Sequence, residues 1–142
     1  MRSILPWLLI PCLLAGCSAG RRYHADDNVI GPYTPVVEAG GFLHVSGQIA
    51  LKPGTTELVS GGVAAQVRQA MENIKALLAK AGADMDDIVQ CTVYLRSMDD
   101  FAQMNQVYGS YFAPGRAPAR TTVAVARLPR DAAVEVAALA HK

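Results

Sequence analysis

The chain has 142 residues, a formal net charge of +1, and 51% of its residues are hydrophobic. That length suits a single domain with a core of its own. The near-neutral balance argues against a nucleic-acid footprint, which needs a clustered basic face, and Arg21-Arg22 is the one basic doublet.

The first elements lie outside any fold. Met1 and Arg2 give a short positive start, and Ile4 to Leu14 is an apolar run of eleven residues. Eleven residues cannot cross a bilayer as a helix, which needs ~20; the length suits the hydrophobic region of a secretory signal. Leu14-Ala15-Gly16-Cys17 then resembles the lipobox of bacterial lipoproteins. The resemblance implies cleavage before Cys17, acylation of its thiol and anchoring by several acyl chains. Ser18 rather than aspartate follows, which leans towards the outer membrane. The expected organisation is a lipoprotein signal peptide over residues 1–16, a lipidated N-terminus and polar, poorly ordered linker over 17–28, and one domain over 29–142. The alternative is an unused signal on a cytoplasmic protein. With Cys12 removed and Cys17 acylated, only Cys91 remains, so no intramolecular disulfide forms in the mature chain. Cys91 lies in the apolar run IVQCTVYL and reads as a small buried hydrophobe.

Pro35 to Ala39 and Phe42 to Gln48 read as strands around Gly40-Gly41, a hairpin signal. Lys52 to Thr56 is turn-rich, and a further strand before the first helix is left open. Val63 to Ala81 is a helix, with Val63, Val67, Ala70, Met71, Ile74, Leu77, Leu78 and Ala81 recurring every three or four positions. Gly82 stops it. Ile88 to Leu95 is a strand with Cys91, Val93 and Leu95 on one face. Ser97 caps a second helix that runs to about Phe112, striped by Phe101, Met104, Tyr108 and Tyr111. Ala119 to Ala126 and Ala133 to Ala140 are the last strands, joined by Leu128 to Asp131. The order is that of an α+β domain with two helices on one sheet.

Two helices cover one sheet face only. Val123, Val125, Val134 and Val136 suit the covered face, which puts Arg120, Thr122, Glu135, Ala137 and Leu139 on the other. That second face is too apolar for a wet face and too charged for a core. A subunit interface with a polar pocket explains both features. Arg120 is the key residue. An arginine among Ala, Thr and Val is costly unless something binds its fork of donors, and a small carboxylate matches two hydrogen bonds at once.

Four segments carry a family resemblance: IGPYTP at Ile30 to Pro35, VSGQIA at Val45 to Ala50, DFAQMNQVY at Asp100 to Tyr108 and PARTTVAVARLPRDAAVEVAALA at Pro118 to Ala140. Together they resemble the RidA (YjgF) family of enamine/imine deaminases over nearly the whole domain. The resemblance implies a chorismate-mutase-like fold, a six-stranded mixed sheet with two helices on one face, assembled as a homotrimer with three clefts between subunits. It implies hydrolysis of 2-aminoacrylate and 2-iminopropanoate-type intermediates to a 2-keto acid and ammonia, without metal or organic cofactor. By this resemblance Arg120 clamps the substrate carboxylate and Glu135 handles the attacking water. Tyr33, Ser46, Gly47, Asn105 and Thr122 join Arg120 in holding substrate. Thr122 stands where many members carry cysteine, so thiol-dependent behaviour is expected to be absent. The lipoprotein signal also departs from the family, whose members are mostly cytosolic or organellar.

An imine is already electrophilic, so fixing it beside a held water and a proton-transferring glutamate suffices, the glutamate supplying ~10²–10⁴-fold. His24, His44 and His141 lack ligand spacing, and there is no CxxC or HExxH motif. Alternatives stay open. Arg120 and Glu135 could pair across the sheet, Tyr33 and Ser46 could complete turns, and Asn105 could be a packing group. A second function is a non-catalytic envelope lipoprotein that binds a small carboxylate or a partner protein.

Overall fold

The computed structural model describes residues 20–26 and 29–142. The apolar leader and Cys17 lie outside the described residues. The elements are β1 (Arg22–His24), β2 (Val36–Ala39), β3 (Phe42–Gln48), α1 (Val63–Lys80), β4 (Ile88–Leu95), α2 (Phe101–Gly109), β5 (Ala119–Ala124) and β6 (Val134–His141). They build one six-stranded sheet in the order β1-β2-β3-β6-β4-β5. Every neighbouring pair is antiparallel except β4 and β5, which are parallel and joined through α2. The sheet is therefore mixed, and β5 is an edge strand.

The β2–β3 hairpin turns on Gly40 and Gly41, whose φ angles of 59° and 83° lie where side chains resist. α1 follows its apolar period. Val63, Val67, Ala70, Met71, Ile74 and Leu78 are buried, and Gly82, with φ 78°, closes the helix as Ala83 N–H donates to Leu78 O at 2.9 Å. Both helices cover one sheet face. Their core partners are Val36, Leu43 and Val45 of β2 and β3, Cys91, Val93 and Leu95 of β4, and Val134, Val136, Ala138 and Ala140 of β6. Each fully buried Leu, Ile or Met contributes about 1.5–3 kcal/mol. A smaller cluster of Ile49, Leu128 and Ala132 gathers Tyr94 and Val125.

Three features differ from the expectation. First, residues 22–24, whose composition reads as linker, form the outermost strand. β1 pairs with β2, and Glu38 gathers Arg22 at 3.4 Å, His24 at 3.3 Å and Lys142 at 3.3 Å. Burial pushes the Glu38 carboxyl up, but His24, Lys142 and Arg22 outweigh burial and hold it below the usual carboxylate range. A three-residue polar strand held by backbone pairing and one carboxylate carries no hydrophobic period. The segment before α1 is instead a loop with one bridge, Leu51 to Leu58. Second, α2 ends at Gly109, and Tyr111 and Phe112 follow in tight turns on Tyr108 O and Gly109 O. Ser97 caps the short 3₁₀ turn at Met98–Asp100 that leads into α2.

Third, β5 has the opposite phase. Arg120 stands level with Cys91, Thr122 with Val93 and Ala124 with Leu95. Arg120 and Thr122 therefore point to the helix-covered side, while Val123, 41% exposed, stands level with Tyr94 on the open side. In β6, Val134 and Val136 are on the covered face as expected, and Glu135, level with Tyr94, is on the open face. Hydrophobicity misleads for β5 because α2 fills the covered side above it with Met104 and Tyr108. The valines are left to the open face.

Candidate active site

β5 brings Arg120 under α2. Its guanidinium carbon lies 4.7 Å from the centroid of the Tyr108 ring and 5.9 Å from that of Phe101. Its Nη1 donates weakly to Met104 Sδ at 3.9 Å. These three side chains sit at the i, i+3 and i+7 positions of one helix face, so the apolar stripe of α2 is also the bed of the arginine. Arg120 is half-buried, and among the described residues no carboxylate lies within ion-pair distance of it.

The surroundings of Arg120 hold polar groups that the fold leaves without partners. The Tyr108 hydroxyl and Thr122 Oγ1 are both buried and make no hydrogen bond among the described residues. A buried hydroxyl without a partner costs about 1–3 kcal/mol, so such groups beside an arginine that meets no acid among the described residues mark a polar environment rather than a plain core. Cys91, fully buried, neighbours both the Tyr108 hydroxyl and Arg120. Burial pushes its thiol up, only partly offset by Tyr108 and Arg120. Burial likewise pushes the Tyr108 phenol up, reinforced by Cys91 and opposed by Arg120. The thiol that position 122 lacks is thus present one strand away, but buried and protonated. Asn105 is partly buried on α2 between Phe101 and Tyr108, and makes no side-chain hydrogen bond among the described residues.

Glu135 occupies a second locus on the open face. Burial alone pushes its carboxyl above the usual range, and no cation pairs with it among the described residues. It leans over Gly47, where β3 and β6 slip register between Val45 and Gln48. Any side chain on Gly47 would collide with the Glu135 carboxylate. Ser46, next to it, gives its hydroxyl hydrogen to Thr34 O at 2.7 Å, the turn-completing role. Tyr33 is 40% exposed and lines a cleft of about 410 Å³ beside α1 with Gln48, Asn73 and Lys80. Neither Arg120 nor Glu135 lines that cleft.

The structure therefore brings Arg120, Thr122 and Asn105 together, and Glu135 with Gly47. It does not bring the two groups together within one chain. Arg120 and Glu135 sit two strands apart, on opposite faces, with Cα atoms roughly 14 Å apart from strand spacing and rise. The expectation that they share a face is corrected, and the cross-sheet salt bridge between them is ruled out within one chain. Tyr108, Phe101 and Met104 are the contacts of Arg120 that the pattern concealed, because their spacing reads as core. Only the Arg120 register turns that core stripe into a seat for the arginine. Cys17, the expected lipidation site, lies outside the described residues.

An edge-strand arginine bedded on a helix, with a glutamate on the sheet's far face, describes an α+β domain whose paired functional groups belong to different surfaces. Residues 25–142 match the family model described as Endoribonuclease L-PSP, and the chain belongs to this family, the RidA (YjgF) family. It is 49% identical over 113 residues to a RutC family protein of Pyrococcus horikoshii, covering 80% of this chain and 89% of that one. It is 44% identical over 113 residues to the 2-iminobutanoate/2-iminopropanoate deaminase of Escherichia coli, covering 78% and 88%. Among solved structures it resembles Escherichia coli TdcF with bound serine, with a TM-score of 0.75 at 39% identity, covering 81% of this chain and 91% of that one.

Proposed function

We propose that this protein hydrolyses small 2-imino acids to 2-keto acids and ammonia, as a homotrimer with its sites between subunits. The observation that carries the reading is the half-buried Arg120, whose donors meet no acid among the described residues. The deaminase relative and the serine bound to TdcF, a small carboxylate, both favour it. Because Arg120 and Glu135 face opposite ways, a site that uses both takes Arg120 from one subunit and Glu135 from its neighbour. A cyclic trimer supplies three such junctions.

The chemistry follows from the residues. Arg120 grips the substrate carboxylate with two parallel hydrogen bonds and fixes the imine carbon. Water adds to that carbon of the protonated imine while Glu135 takes one of the water's protons, giving a neutral carbinolamine. Glu135 returns that proton to nitrogen, the C–N bond breaks and ammonia leaves, and the hydroxyl proton passes to Glu135 as the carbonyl forms. A carboxyl raised by burial holds and releases a proton closer to neutral pH than an exposed one, which suits both steps. Asn105 and Thr122 line the carboxylate end, and Gly47 leaves room for Glu135.

The test generates 2-iminopropanoate with an amino-acid oxidase and follows its decay with wild type and with Arg120→Ala. Acceleration by wild type alone is expected. Equal decay with both removes the deaminase reading for this substrate, and binding of pyruvate without turnover would favour a carboxylate-binding lipoprotein.

We also propose that the mature protein is anchored at the periplasmic side of the envelope, in the outer membrane, through acylated Cys17. Only five residue steps (22 − 17) would then separate the lipid from β1, a reach of at most about 18 Å. The domain would rest close to the lipid surface. Acyl labelling that disappears in Cys17→Ser, with release of the protein from membranes, is the expected result. Equal labelling of both forms would refute it.

A further inference from the structure

We infer that Tyr108 is the positioning residue of the carboxylate clamp: its ring face seats the Arg120 guanidinium and, among the described residues, leaves its N–H donors unpaired with any acid. The inference rests on the deaminase reading for its role in turnover, but the seat itself rests on geometry. A guanidinium in a protein is commonly held by a carboxylate, which occupies two of its donors and cancels its charge. Here the contacts are a ring face at 4.7 Å, a second ring at 5.9 Å and a thioether. A ring face attracts the cation through its quadrupole and takes no N–H bond in the guanidinium plane. The charge and the fork both remain available to a guest.

The ring is itself fixed. Tyr108 is 3% exposed in the middle of α2 and packs against Phe112, with centroids 5.0 Å apart. Phe101, at 5.9 Å, lies at the outer limit of such attraction, so Tyr108 carries most of it. The Tyr108 hydroxyl sits beside Cys91 and makes no hydrogen bond to Arg120 among the described residues, so the ring and not the hydroxyl holds the arginine. This separates the seat from a simple tyrosine hydrogen bond.

The test varies the ring's electrostatics at constant shape. Position 108 is changed to phenylalanine, then to phenylalanine with one, two and three ring fluorines, which drain the face of negative charge. KM for 2-iminopropanoate and Kd for pyruvate are measured with each. Tyr108→Phe is expected to stay within about twofold of wild type in kcat/KM. KM and Kd should then climb in step with fluorine number, about two- to thirtyfold in total, while kcat changes less. Flat KM and Kd across the series, or a Tyr108→Phe protein as impaired as Arg120→Ala, would overturn the seat and leave the deaminase reading standing. Absent turnover in wild type, with pyruvate Kd still climbing, would remove the deaminase reading and support the seat. A wild type that neither turns over the imine nor binds pyruvate would overturn both.

Discussion

Arg120 and Glu135 belong to different faces of the same sheet, and this makes a sharp prediction about mixed oligomers. Consider Arg120→Ala and Glu135→Gln, each inactive alone because every site lacks one group. Within one chain the two residues are two strands and three residue rises apart and point away from each other, so no side-chain motion joins them. If each site takes its arginine from one subunit and its glutamate from the next, mixed trimers contain sites with both. With random assembly at equal amounts, half of the sites draw arginine from a Glu135→Gln subunit. Half of those meet glutamate from an Arg120→Ala neighbour. About a quarter of sites in the whole mixture are then intact; every trimer that carries both variants has one intact site of three, so about a third of wild-type activity should return in the purified mixed oligomers. The assay co-expresses the two variants with different tags, purifies oligomers that carry both, and follows imine decay. Doubly tagged oligomers without recovered activity would refute the shared-site reasoning, because only a same-chain site leaves every mixture inactive.

Other perturbations test neighbouring steps. Gly47→Ala should leave the fold intact and cut turnover at least tenfold, because its methyl takes the place of the flexible Glu135 carboxylate; undiminished kcat with a normal melting curve would contradict this. Glu135 has its pKa raised by burial, so the folded state favours its proton and the charged form opposes folding. That penalty is absent below the ordinary carboxylate range near pH 4, grows as pH rises through the raised value and is complete above it. Glu135→Gln should therefore melt higher than wild type at pH 8 and match it near pH 4, as read by thermal unfolding; the reverse order would show that a cation pairs with Glu135. Ile74→Ala, at a fully buried position of α1, should cost about 2–5 kcal/mol in denaturant unfolding, and a cost below 1 kcal/mol would mean that α1 does not seat in the core.

Much of the fold is readable in the chain itself, and the reason is periodicity. α1 repeats its apolar residues so regularly that one packing face exists, and Gly82 can only end it. Gly40-Gly41 between two alternating runs admits little but a hairpin. The candidate residues are legible for a different reason: a lone arginine and a lone glutamate in apolar strands carry a desolvation cost that calls for a purpose. What periodicity cannot decide is which way an edge strand faces when both sides are apolar. In β5, Thr121 and Val123 alternate with Arg120 and Thr122, and either phase looks reasonable. Only the pairing of Arg120 with Cys91, and the arrival of Tyr108 and Met104 overhead, put the arginine on the helix side. β1 was equally hidden, because its partners are backbone groups and one carboxylate shared with His24 and Lys142 at 3.3 Å each. Local pattern reflects burial along one element, whereas facing and pairing are set by whichever distant side chains fill the space beside it.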